Sequence, residues 1–316
     1  MMTSSRRLRS CYRSERGFVL VAVLWLLAAL ALLVTIFTVH LSASSRAVSL
    51  NDGALKTEAL ASAGVELAAY RLQSADEDKR PPEGAFHVRL SATDVSVSFI
   101  TEAARVDLIE APKELLSGLL TVLGAGDDDA KEAADRIVGW RTKASDGDAN
   151  KEPALYQTSG RTYSPRQAPF AHVNELALVL GMTPALVERV LPYVTVFSGA
   201  ASVDVMVAPA EVIAALPGMT PLKLKQFLSD RGSMVNDTAA LSASLGAANG
   251  GANGANGGGA ERGKSQAYRI HVDLRFPDGR ETVSEVVIGL KAKDVPYRVL
   301  SWQNDVPRVA RPRMEF

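Results

Sequence analysis

The sequence has one cysteine, four histidines and no excess of charge of either sign: Lys plus Arg and Asp plus Glu number 35 each in 316 residues. A lone thiol, Cys11, excludes an intramolecular disulfide and a thiolate metal cluster. Leu8-Arg9-Ser10-Cys11 is not a lipid-attachment signal either, because no apolar segment precedes the cysteine to enter a membrane. Balanced charge removes the whole-chain attraction that a phosphate backbone or an acidic partner would need. His40, His87, His172 and His271 are scattered, with none at metal-ligand spacing, and no Gly-x-Ser-x-Gly elbow occurs. No catalytic constellation is legible, and the expectation is a protein that is not an enzyme. The length still allows a substantial core, as two domains or as one domain with a large insertion.

The strongest signal lies at the N-terminus. Arg6, Arg7, Arg9, Arg13 and Arg16 stand against one acid, Glu15, and the stretch ends at Gly17. From Phe18 to Phe37 the chain is then almost purely apolar, FVLVAVLWLLAALALLVTIF, with Thr35 its one hydroxyl. About twenty such residues at roughly 1.5 Å rise each span the hydrocarbon core of a bilayer. The arginines hold the short N-terminal side in the cytoplasm, so the rest of the chain is expected across the membrane, which in a bacterium means the periplasm. In a secretory signal the cleavage site follows a shorter apolar region; here a glycine and an aromatic precede it. Arg16-Gly17-Phe18 resembles the type IV prepilin site. That resemblance implies a leader, 1–17, cut after Gly17 on the cytoplasmic face by prepilin peptidase, with methylation of Phe18 and retention of the apolar segment. Loss of the leader would take Cys11 with it. A plain signal-anchor helix, with Gly17 incidental, is the other reading.

Helical character is expected to continue beyond the apolar run, because Leu41, Val48, Leu50, Leu55, Leu60, Val65, Leu67 and Leu72 recur among Ala, Ser, Lys, Glu and Arg. One helix from Phe18 to about Leu72 would be roughly 80 Å long, with a transmembrane part over 18–38, a periplasmic half over 39–75 and a kink or local break at Asn51-Asp52-Gly53. The segment Glu58 to Ala68 looks like the amphipathic half of a pilin helix, whose small residues let a sheet approach closely. Pilins and major pseudopilins usually carry glutamate at the fifth mature position, to pair with the free amine of a neighbouring subunit. Counted from Phe18, that position is Ala22. An unpaired carboxylate in an apolar bundle is costly, so alanine suits a subunit with no neighbour above it; it equally suits a chain that is no pilin.

Asp76 to Pro82 is a charged, helix-breaking turn, and the stretch 86–101, FHVRLSATDVSVSFIT, alternates like one half-buried strand within an expected core strand at 84–104. A C-terminal hairpin is expected over 265–304: AYRIHVDLRF and ETVSEVVIGL flank Pro277-Asp278-Gly279-Arg280, whose Asp-Gly tolerates positive backbone dihedrals, and a last strand falls near Tyr297–Trp302. Between them, 105–245 reads as helical, with related units that end in Leu123-Gly124, Leu180-Gly181-Met182-Thr183-Pro184 and Leu216-Pro217-Gly218-Met219-Thr220-Pro221. Each is a helix, a glycine turn and a second helix. In the last two, threonine can cap the following helix and proline can occupy its first turn. Residues 246–264 are too rich in glycine and asparagine to bury anything, which gives a flexible loop, and 305–316 form a tail.

Taken with that N-terminus, the order of Val106 to Pro112, Ile137-Val138-Gly139-Trp140-Arg141, Tyr163-Ser164-Pro165-Arg166, Phe170, Val173-Asn174-Glu175-Leu176, Pro192 to Val196 and Val299-Leu300-Ser301-Trp302 resembles the K-type minor pseudopilin of type II secretion systems. The resemblance implies an α+β fold: a long N-terminal transmembrane and spine helix on a small antiparallel, pilin-like sheet, with a large inserted all-helical domain of helix-hairpin-helix, SAM-like units. It implies a place at the pseudopilus tip, I- and J-type minor pseudopilins and prepilin peptidase as partners, and no nucleic acid. It also implies calcium in the loop after Trp140-Arg141, with Asp146, Asp148 and Glu152 as candidate ligands of the hard-oxygen type that ion takes. Thr142 and Asn150-Lys151-Glu152-Pro153 depart from the family pattern, and a solvated acidic loop is the other reading. The alternative function is a minor pilin of a type IV pilus or DNA-uptake system. Lys223 and Lys225 beside a glycine turn would serve it, against Asp127, Asp128, Asp129, Glu132 and Asp135 in the same region.

Overall fold

Leucine and alanine dominate the segment after Gly17, and both are strong helix formers. Helix α1 accordingly runs Arg16–Ser74. The local break expected at Asn51-Asp52-Gly53 does not form, and those residues are helical. A single glycine costs only about 1 kcal/mol in a helix, and the flanking turns outweigh it. In the computed structural model, residues 16–143, 151–234, 260–261, 265–290 and 295–306 are described. The chain divides into two compact units, Met1–Ala59 and Leu60–Phe316.

In the second unit, Leu60, Ala61, Val65, Ala68 and Leu72 of α1 are buried against a sheet. Strands β1 (Glu83–Leu90) and β2 (Thr93–Thr101) form an antiparallel hairpin where one strand was expected. Its turn residues, Ser91 and Ala92, hold φ of 47° and 63°. Neither is a residue that favours the left-handed region, so the sequence carries no turn signal there. From β2 the chain enters the helical region through a 3-10 turn, Glu102–Ala104, and a short strand β3, Val106–Asp107. Helices α2 (Lys113–Val122), α3 (Asp127–Arg141) and α4 (Lys151–Thr158) follow, then a 3-10 segment Val173–Leu178 and α5 (Pro184–Val190). Strands β4 (Val194–Thr195) and β5 (Val203–Asp204) precede α6 (Ala210–Ala214) and α7 (Pro221–Asp230). The region is therefore not all-helical: β3 pairs with β4, and β5 with β6 (Ala260–Glu261), both in parallel.

The glycine turns form as the spacing predicts. Gly124, Gly181 and Gly218 hold φ of 92°, 82° and 76°, a region that glycine enters without penalty. Thr183 Oγ1 accepts the Leu186 N–H at 3.3 Å and Thr220 Oγ1 the Lys223 N–H at 3.3 Å. Pro184 and Pro221 occupy the first turns they cap.

The chain returns to the sheet as β7 (Ala267–Arg275) and turns back into β8 (Glu281–Gly289). At that turn Gly279 has φ of 82°, and Asp278 Oδ1 accepts the Arg280 N–H at 3.0 Å. Strand β9 (Arg298–Asn304) completes an antiparallel sheet of order β1-β2-β7-β8-β9. Alternation gives it an apolar face toward α1, with Val95, Val97, Phe99, Ile270, Val272 and Val286 buried. Gly64 of α1 sits where an added Cβ would come within 2.9 Å of Val272 Cγ1, the close approach expected of that small-residue face. A second, separate core fills the helical region with Leu108, Leu115, Leu119, Leu120, Ile137 and Ile213. The segments 246–259 and 262–264 of the glycine-rich stretch, and 307–316 of the tail, lie outside the described residues.

Candidate functional site

The first feature with functional content is the apolar part of α1. Val19–Thr38 is long and apolar enough to cross a membrane. Its large side chains are exposed throughout, Trp25 at 75% and Leu33 at 67%. Water does not tolerate such a surface, whereas a bilayer does. Its hydroxyls are satisfied within the helix: Thr35 Oγ1 donates to the Ala31 carbonyl at 2.8 Å and Thr38 Oγ1 to that of Val34 at 2.7 Å. Gly17, Phe18 and Ala22 all lie in this helix, and Ala22 is exposed. The side chain of Phe18 lies outside the described residues.

The second feature gathers residues that are far apart in the sequence. Trp140 lies on the inner face of α3, where it stacks on Phe170 at 6.2 Å and meets Tyr156 at 6.0 Å. Its indole Nε1–H donates to Glu175 Oε2 at 3.0 Å, while Glu175 Oε1 accepts from Arg166 Nη1 at 2.6 Å and from the Ala171 amide at 3.1 Å. The next residue, Arg141, donates to the carbonyls of Leu108 and Ala111 at 2.7 and 2.6 Å. Asp107 then accepts the Ile109 and Gly199 amides at 2.7 and 2.8 Å. The landmarks at 106–112, 140–141, 166, 170 and 175 thus form one interlocked cluster, each polar group satisfied by another. Tyr156, inside it, has its hydroxyl pushed up to about 12 by burial, against the Leu180 N–H that donates to it. These groups hold the helical region together, and no two of them are poised as acid and base on an open cleft.

Of the candidate metal ligands, only Glu152 is among the described residues. Asp146 and Asp148 lie outside the described residues. Glu152 is in the first turn of α4, with Oε1 3.0 Å from Arg136 Nη1. A Cβ at Gly139 would lie 2.4 Å from the Glu152 carboxyl carbon, so only glycine at 139 leaves room for that group. Glu152 Oε2 is buried without a hydrogen-bond partner among the described residues. Burial pushes this carboxyl above its ordinary range, against the pull of Arg136. Among the described residues no group of three or more His, Cys, Asp or Glu could hold a metal.

One cluster had no signal in the sequence. Glu102, fully buried, sits beside Arg269 of β7, with Nε at 2.7 Å from Oε1 and Nη2 at 3.2 Å from Oε2. Burial opposes its ionisation, but Arg269, Arg105 and Thr195 outweigh that and hold the carboxyl below the usual range. Charged residues at alternate positions of a strand mark a polar face; they do not say which charge will be buried.

Residues 101–199 match the family model for type II secretion system (T2SS), protein K. The fold is similar to a chain in the crystal structure of the GspK–GspI–GspJ complex from the enterotoxigenic Escherichia coli type 2 secretion system. The TM-score is 0.51 at 14% identity, over 82% of this chain and 98% of that one. Among curated proteins none matches the chain. The matched segment contains the whole Trp140–Glu175 cluster, and a helix long and apolar enough to cross a membrane precedes it in the sequence.

Proposed function

We propose that this subunit caps the pseudopilus of a type II secretion system, the short fibre that moves folded proteins across the outer membrane. One observation carries the reading: a protein K segment, 101–199, in a chain with Ala22 five residues past Gly17 where a fibre subunit with a neighbour above would keep an acid. Prepilin peptidase removes 1–17, Phe18 is methylated, and the apolar helix stays in the inner membrane with the remainder in the periplasm. The partners are I- and J-type minor pseudopilins, the neighbours of the similar chain in its complex. The subunit acts by assembly and not by catalysis.

The glycine-turned helix pairs are read as helix-hairpin-helix units that serve packing. The exposed Lys223 and Lys225 stand near a single turn, and the family match favours secretion over DNA uptake. Calcium suits the one described candidate ligand in its donor chemistry, because Glu152 Oε2 is a buried oxygen without a hydrogen bond among the described residues. Asp146, Asp148 and Glu152 would hold the ion, whose charge would fix the loop to α4. Calorimetric titration of the purified chain with calcium is expected to show one site that Glu152→Gln weakens; a silent titration removes it.

Mass spectrometry of the chain purified from its own membrane tests the central reading. An N-terminus at N-methylated Phe18 is expected, and an N-terminus that retains residues 1–17 would remove the pilin route. Site-directed cross-linking of the assembled fibre would then place the subunit; a second copy cross-linked above Ala22 rules out the cap.

A further inference from the structure

The helical region and the sheet do not share an apolar core. Leu108, Leu120 and Ile137 belong to one cluster, and Val97, Ile270 and Leu72 to the other. The chain crosses between them at Glu102–Arg105 on the way out and at Ser265–Ala267 on the way back. Each crossing carries a buried polar residue, Glu102 on the way out and Ser265 on the way back, beside buried alanines. On the way out, the Glu102 carboxylate accepts both Arg269 donors from β7, the hydroxyl of Thr195 from β4, and Arg105 Nη1 at 3.4 Å. Arg269 Nη1 also reaches Glu285 Oε1 of β8 at 2.5 Å, and His271 Nε2 lies 3.4 Å from the other Glu285 oxygen. Arg105 Nε donates to the Pro192 carbonyl at 3.0 Å. On the way back, Ser265 Oγ donates to the Ser198 carbonyl at 2.9 Å and accepts the Ala267 amide at 3.0 Å. A chain of directional bonds therefore runs from β8 through β7 and Glu102 into β4.

Apolar burial is non-directional, whereas a two-donor guanidinium–carboxylate contact fixes both distance and angle. A buried ion pair adds little to stability compared with apolar residues of the same volume. We propose that the Glu102–Arg269 pair is an orientation joint: it sets the angle at which the helical region stands on the sheet, while each core holds its own part folded. The joint does not depend on the capping role. It would serve a subunit anywhere in a fibre, because neighbours can only be met by a head of fixed shape.

The test uses the full chain in detergent micelles with Cys11→Ser. Spin labels go at Glu188→Cys on α5 and Gln303→Cys on β9, both exposed positions, and double electron–electron resonance reads the distance between them. The unaltered joint is expected to give one narrow distribution. Glu102→Leu with Arg269→Met, and Glu285→Gln to avoid a stranded charge, is expected to widen that distribution about twofold while the thermal midpoint holds. Glu285→Gln alone leaves Glu102–Arg269 intact and should keep it narrow. A triple variant that stays narrow overturns the proposal. One that unfolds overturns it too, since the network would then serve stability and not direction.

Discussion

The two cores of the second unit solve the same problem by different means. In the sheet core, α1 presents Ala61, Gly64, Val65 and Ala68 to strands whose alternation supplies the facing side chains. A Cβ added at Gly64 would meet the γ-carbons of Val272 and Val97. In the helical core, short helices interlock around leucines, and Gly118 of α2 sits where a Cβ would lie 2.3 Å from the Ala215 carbonyl oxygen. A valine can change rotamer, but a carbonyl moves only with its backbone. The sheet core should thus absorb a small insult at Gly64, and the helical core should not at Gly118.

The comparison breaks most visibly at the largest side chains. Leu120→Ala and Leu72→Ala, both fully buried or nearly so, should each destabilise by roughly 2–5 kcal/mol. Hydrogen exchange should show the loss concentrated in the helical region for the first and in the sheet with the adjoining turns of α1 for the second. Equal spread over both would mean that the cores act as one. Next in size, Gly118→Ala should cost about 1–3 kcal/mol by overpacking. Gly64→Ala should cost less, because gained helix propensity offsets part of the strain. Urea midpoints in the reverse order would contradict the contrast between backbone and side-chain obstacles.

The smallest effect is acid–base. Tyr156 in the helical core is pushed up to about 12 by burial, and Tyr297 beside the sheet to about 12 by burial and by the hydroxyl's bond to Glu66. Both raised values favour the neutral phenol in the folded chain. That stabilisation is complete below the ordinary value of 10.0 and is lost as pH rises toward about 12. Absorbance titration should show both tyrosines ionising late. Glu66→Gln should lower the midpoint of Tyr297 and leave Tyr156 where it is; a shift in both would show that the two environments are coupled.

What could be read from the sequence was whatever a local rule controls. The apolar run predicts the anchoring helix, Asp278-Gly279 predicts the β7–β8 turn, and Thr183-Pro184 and Thr220-Pro221 predict helix starts that form with the expected caps. Where the local rule was weak, the reading slipped. Ser91 and Ala92 carry no preference for positive φ, so the β1–β2 hairpin was hidden, and the glycine of Asn51-Asp52-Gly53 was overridden by its neighbours. The polar joint was out of reach altogether, because Glu102 and Arg269 meet only after the sheet has formed. Around Trp140, the spacing of the landmarks carried the family likeness, but nothing in it told that Glu175 would bond the indole. Nor did it show that Gly139 makes room for Glu152.

Strand order carries a consequence for how the chain is made. Strand β2 sits beside β7, with Thr101 opposite Tyr268, so the whole helical region is synthesised and delivered between two neighbours. Closing so long a loop is slow compared with forming local helices. The helical region can therefore fold as it emerges, while β1, β2 and the small-residue face of α1 wait uncovered for the last fifty residues. During that interval the β2 edge is open to any other strand, and the chain is most vulnerable just before its C-terminal hairpin appears.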